Sequence, residues 1–113
     1  LSSSQLIDHD ALAALREVMD EDFIQLIETF VSDSHAKINT MQRALAAGQS
    51  DELRRAAHSL KGSSSNIGAS GLMNTCRQIE ERAAASELRG LEHLLVDLQS
   101  EFSQVKQQLE IYC

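Results

Sequence analysis

No proline occurs anywhere in the 113 residues, and glycine occurs only five times. The residues that most often break a helix are therefore scarce. Aromatic residues make up 4% of the chain, too few for a sandwich or barrel, whose strands lean on aromatic and β-branched side chains. No stretch alternates apolar and polar residues long enough to be a strand. Apolar residues recur at helical spacing instead. The clearest case is Leu91, Leu95, Leu98, Phe102, Val105 and Leu109, whose intervals alternate four and three, the seam of a packed helix.

The rest of the chain divides into four more helical patterns. Asp8 or Asp10 can cap a short first helix carrying Leu12, Leu15, Val18 and Met19. Asp20, followed by Glu21 and Asp22, is placed to open a second, with acids in the first turn where the macrodipole favours them. Its stripe is Phe23, Ile27, Phe30, Ile38, Met41 and Leu45, and Gly48 is a suitable stop. Ser50, with Asp51 and Glu52 behind it, caps a third helix running to about Ile67. Gly68 and Gly71 bracket a break, and Ser70 starts a fourth helix through about Ala85. The fifth is expected to start near Ser86. Short loops between long helices imply antiparallel neighbours. The expected fold is all-α: an up-and-down antiparallel four-helix bundle with a short N-terminal covering helix, in a single domain over residues 1–113.

Charge and composition narrow the function classes. Net charge is −7, with a pI of about 4.9. A phosphate-tracking nucleic-acid binder needs the opposite balance. No apolar run reaches the roughly 20 residues of a membrane span, and no signal-peptide layout is visible. Cys76 and Cys113 share no ligand spacing and are too few for a disulfide framework, so the reducing cytoplasm is the expected compartment. The chain opens on Leu1, which suits a trimmed chain or a piece of a longer protein equally. Ser2–Ser4 read as a frayed terminus.

The third helix has two faces. At about 100° per residue, Leu53, Ala57, Leu60, Ser64 and Ile67 cluster within roughly 40° of one direction, the core side. His58, Lys61, Gly62 and Ser65, at offsets zero, three, four and seven, form a second stripe about 130° away. Its composition is unusual for a solvated face. Gly62 in mid-helix costs about 1 kcal/mol against Ala, and serines are weaker helix formers than Ala, Glu or Lys. Small residues leave the imidazole unobstructed and let another protein's backbone approach. Lys61 can set an ammonium beside anything negative on the ring.

This pattern suits a histidine nucleophile that accepts a phosphoryl group. Neutral imidazole is available near pH 7, because its reference pKa is about 6.5. One ring nitrogen attacks while the other carries the proton and needs an acceptor. On the fourth helix Leu72, Cys76, Ile79 and Ala83 make the core stripe, and Glu80 sits about 70° off its centre. A carboxylate there could reach His58. Taken singly, an exposed helical His or Lys is ordinarily a solvated residue, and Glu80 an interhelical or solvent-facing charge. The combination is what points to a site.

The stretch Ala57-His58-Ser59-Leu60-Lys61-Gly62-Ser63-Ser64-Ser65-Asn66-Ile67-Gly68-Ala69 resembles the signature of histidine-containing phosphotransfer (HPt) domains, His-x-Leu-Lys-Gly followed by small residues and a glycine. Cys76-Arg77-Gln78-Ile79-Glu80 looks like the family's fourth-helix segment. The resemblance implies a carrier that relays phosphoryl groups between response-regulator receiver domains in multistep phosphorelays. It assigns His58 as the phosphorylated residue, Lys61 as the lysine steadying the phosphoryl group, and Gly62 as the glycine leaving room for the receiver. Ser65 belongs to that same binding face. Gly68 matches the later glycine where the helix end is shaped. Glu80 falls where the family has Gln or Glu bonded to the imidazole.

The resemblance further implies receiver domains and a hybrid sensor kinase as partners, a monomer, and no cofactor of its own, with Mg²⁺ expected on the receiver. No nucleotide-binding loop or kinase motif set is present, so the chain is expected to lack kinase activity. The dimerising helical domain of a sensor kinase fits less well, because Ser59 follows His58 and its proline context is missing. A non-catalytic helical adaptor would leave His58 incidental. A metal site is not expected: His9, His35, His58 and His93 fall on different helices, and no Glu-x-x-His pair is present.

Overall fold

The computed structural model describes residues 7–112; Ser2–Ser4 and Cys113 lie outside them. The described residues form five α-helices and a closing 3₁₀ turn, with no strand among them: α1 (His9–Met19), α2 (Asp22–Ala46), α3 (Ser50–Asn66), α4 (Ser70–Ala84), α5 (Leu91–Leu109) and the turn Glu110–Tyr112. Neighbouring pairs are α2 with α3, α3 with α4, α4 with α5, and α5 with α2, and α1 rests on α2. The α3–α4 pair shares the most extensive contact.

The expected stripes supply most of the core. Phe23, Ile27, Phe30, Ile38 and Met41 of α2 are buried, as are Leu53, Ala57 and Leu60 of α3, Leu72, Cys76, Ile79 and Ala83 of α4, and the whole four-three series of α5. Leu45 is half-buried against this core. Val18 departs from its expected place and stands 84% exposed. Leu12, Leu15 and Met19 hold the inward side of α1, and Val18, about 100° of turn from Met19 and about 120° from Leu12, falls off it.

Helix ends differ from the sequence reading in instructive ways. Asp8 is the N-cap of α1, its Oδ1 accepting from Ala11 N–H at 3.1 Å. Asp20 does not open α2. It ends α1 with φ +51°, and its N–H donates to Arg16 O at 2.8 Å. Ser50 is the first helical residue of α3 rather than its cap, a place held by Gln49. Gly71 lies inside α4.

The fifth helix starts at Leu91, not near Ser86. Ser86 instead terminates α4, with φ +57°. Its N–H donates to Ala83 O at 3.0 Å and that of Glu87 to Arg82 O at 2.8 Å, the paired bonds of a Schellman stop. Serine side-chain chemistry favours helix starts, yet here the residue closes the preceding helix. Gly48 is the C′ stop expected for α2, with φ +68° and Gln49 N–H donating to Ala44 O at 2.8 Å.

Candidate functional site

The outward stripe of α3 is present as expected. His58 is exposed, its side chain 65% accessible. Gly62 and Ser65 are exposed on the same face, and Lys61 is half-buried. A β-carbon built on Gly62 would meet nothing within 4 Å, so internal packing does not demand glycine there. Gly68 has a different place. It closes α3 with φ +75°, and its carbonyl accepts the N–H of Asp8 at 2.7 Å. A Cβ on Gly68 would lie 3.0 Å from Asp8 Cβ. This glycine holds the entry to α1 against the α3–α4 turn and stands outside the His58 stripe.

Glu80 reaches across from α4. Its Oε2 lies 2.7 Å from His58 Nδ1, and its Oε1 lies 2.6 Å from Lys61 Nζ. Burial alone would raise this carboxyl. The hydrogen bonds from Lys61 and His58 outweigh burial and hold it below the usual carboxylate range. The ionised carboxylate only accepts, so Nδ1 must carry the hydrogen in the bond between them. The neutral ring then has its lone pair on Nε2, and among the described residues no protein group bonds that atom.

The shared carboxylate is the feature that sequence reasoning missed. The positions of His58, Lys61 and Glu80 were legible in the helical period, but the convergence of the imidazole and the ammonium on one carboxylate depends on the α3–α4 separation. Below the site, burial pushes the Cys76 thiol up to about 12, so it stays neutral and packs as an apolar side chain. Among the described residues no cluster of three or more His, Cys, Asp or Glu could hold a metal ion, and no helix is long and apolar enough to cross a membrane.

A family-level match to the Hpt domain covers residues 25–108. The chain belongs to the histidine-containing phosphotransfer family. HPt domains are phosphotransfer intermediates of phosphorelays and work with receiver-domain partners. Histidine-containing phosphotransfer protein 4 of Arabidopsis thaliana is 30% identical over 104 residues, spanning 89% of this chain and 82% of that protein. The crystal structure of histidine-containing phosphotransfer protein B from Pseudomonas aeruginosa superposes with a TM-score of 0.92 at 37% identity, covering 95% of this chain and 93% of that one. The HPt protein of Medicago truncatula gives 0.82 at 31% identity, with 95% and 76% covered. The HPt likeness thus spans bacterial and plant proteins and nearly the full chain.

Proposed function

We propose that His58 is the phosphoryl-carrying residue of this HPt domain, taking the group from a receiver aspartate and passing it to the aspartate of another receiver. The observation that carries this reading is the Nδ1–Glu80 contact at 2.7 Å. The Nε2 lone pair attacks phosphorus, an N–P bond forms, and the P–O bond to the aspartate breaks. The aspartate leaves as a carboxylate with the bonding electrons. The proton stays on Nδ1, and Glu80 offsets the positive charge the ring acquires. Onward transfer is the reverse step with a new aspartate. Lys61 lies one helical turn from His58 and offsets the phosphoryl charge. Gly62 and Ser65 keep the approach clear for in-line geometry.

In this reading the chain is a carrier without kinase activity of its own, and the receiver supplies the acidic pocket and Mg²⁺. The chain acts as a monomeric single domain in the cytoplasm, with receivers and a hybrid sensor kinase as partners. Helices α2 to α5 make an up-and-down antiparallel four-helix bundle with α1 as its cover. The closed series of neighbouring contacts and the short connections 47–49, 67–69 and 85–90 support that topology. Gly68 serves the site indirectly, by fixing the end of α3.

His58→Gln tests the assignment. The variant is expected to keep its helical circular dichroism and melt close to wild type, since an exposed substitution changes stability within about 0.5 kcal/mol. It should take no acid-labile phosphate from a charged receiver. Full labelling of the variant would refute the role of His58.

A further inference from the structure

Charge is unevenly distributed over the chain. Helices α3 and α4 hold five of the ten cationic residues but only four of the seventeen acidic ones. Among the five α-helices α3 alone has a cationic surplus, with Arg54, Arg55 and Lys61 against Asp51 and Glu52. All three cations share the nucleophile's face. Arg54 and Arg55 stand at offsets minus four and minus three from His58, and Lys61 at plus three, each within about 60° of it around the helix. The arginine side chains are 39% and 70% accessible.

Glu52 stands about 120° around the helix from His58, so on the nucleophile's own face Asp51 is the α3 acid that opposes the arginines. Arg54 Nη2 lies 2.8 Å from Asp51 Oδ1, and Arg55 Nη2 lies 3.2 Å from Asp51 Oδ2. One carboxylate is shared by two guanidinium groups, so a net positive charge remains one turn from His58. Lys61 is matched by Glu80. On α4, Arg77 is engaged by Glu81 at 2.9 Å and by Asn74 at 2.6 Å. The arginine pair is thus where the unbalanced charge of this face resides. Neither arginine contributes to the buried core, and neither bonds His58, so neither packing nor orientation of the ring explains them.

We propose that Arg54 and Arg55 are a docking contact for the anionic surface around the partner's aspartyl phosphate. This rests on the phosphocarrier reading above. An aspartyl phosphate is a dianion at neutral pH, and the chain as a whole carries −7. An acidic chain repels that dianion and the acidic pocket around it unless the approaching face is locally complementary. A cationic patch beside the nucleophile turns that repulsion into steering, and it orients the phosphoryl group toward Nε2. Asp51 holds the two guanidinium groups side by side and tempers their charge.

The test uses the whole chain and a receiver domain charged with acetyl phosphate that labels the wild type. Arg54→Glu/Arg55→Glu, with Arg55→Glu alone as the milder variant, is expected to lower the second-order transfer rate at low salt by about tenfold or more. The loss should shrink as salt screens the interaction. Asp51→Asn, which frees both arginines, should raise the rate at low salt. Labelling by phosphoramidate, a small donor that needs no protein interface, should remain at the wild-type level in all three.

An unchanged receiver rate and salt slope in both arginine variants would overturn the proposal. Equal loss with phosphoramidate would also overturn it, because the arginines would then act on the histidine itself. A wild-type chain that takes label from neither donor would overturn the phosphocarrier reading and this proposal with it.

Discussion

Lys61 Nζ and His58 Nδ1 stand against opposite oxygens of the Glu80 carboxylate, at 2.6 and 2.7 Å. The carboxylate therefore both holds the ring and neutralises the lysine. A phosphoryl group on Nε2 brings nearly two negative charges within reach of the same ammonium. Lys61 then has two anionic partners in place of one, so its contribution to the phosphorylated state is measured against an ion pair already made. Lys61→Ala is expected to slow acceptance from a receiver and to shorten the life of the phosphohistidine, with acceptance retained. Quenched-flow transfer kinetics and decay of the acid-labile label check this, and unchanged values for both would make Lys61 an ordinary structural cation.

Removing the carboxylate should act on the ring before it acts on the fold. Glu80→Ala leaves Nδ1 without its acceptor, so the neutral ring redistributes its hydrogen between the two nitrogens. Glu80→Gln keeps an acceptor oxygen for Nδ1–H and loses only the charge. Transfer is expected to fall more in the Ala variant than in the Gln variant, and ¹⁵N NMR of the imidazole should show the tautomer shift in Ala alone. Identical spectra in all three proteins would mean the contact does not set the tautomer.

Gly62 and Gly68, six residues apart in the chain, carry opposite expectations. Gly62 has open space where a Cβ would stand, so Gly62→Ala should stabilise the chain by up to about 1 kcal/mol through helix propensity. Gly62→Gln should keep most of that gain yet take phosphate poorly from a receiver, while phosphoramidate labelling suffers less. Gly68 has φ +75° and a close neighbour in Asp8, so Gly68→Ala should destabilise by about 1–2 kcal/mol. Thermal melts of the two Ala variants should move in opposite directions.

Two carboxyls respond to acid with opposite signs. Glu80 is held below its ordinary range, so its contribution to stability is present at neutral pH and is lost as pH falls through its folded value. Glu101 on α5 is raised, chiefly by burial, with Asp97 adding to it and the hydrogen bond from Thr75 opposing it. Its ionisation disfavours the fold, so that penalty grows as pH rises through the carboxylate range and is relieved in acid. Melting curves at pH 4 and pH 7 check both. Glu80→Gln should be most destabilised relative to wild type at pH 7, and Glu101→Gln should compare most favourably with wild type at that same pH.

Helical class, the core stripes and the His58 face were all set by spacing. Each is a property of one helix, and a 3.6-residue period places every side chain of that helix relative to its neighbours. Gly48 could be read as a stop because a left-handed C′ position selects glycine. Ser86 and Asp20 could not, since each closes a helix in a conformation their residue types rarely adopt, and the flanking chain imposes it.

The same division holds at the site. The sequence by itself determined that His58, Lys61, Gly62 and Ser65 look outward together, and that Glu80 flanks the core stripe of the next helix. Only the tertiary structure decided that Glu80 meets both His58 and Lys61, and that Gly68 belongs to the docking of α1. Those contacts depend on the distance and rotation between separate helices, set by how the buried faces of α3 and α4 interlock. A local period carries no information about that interval.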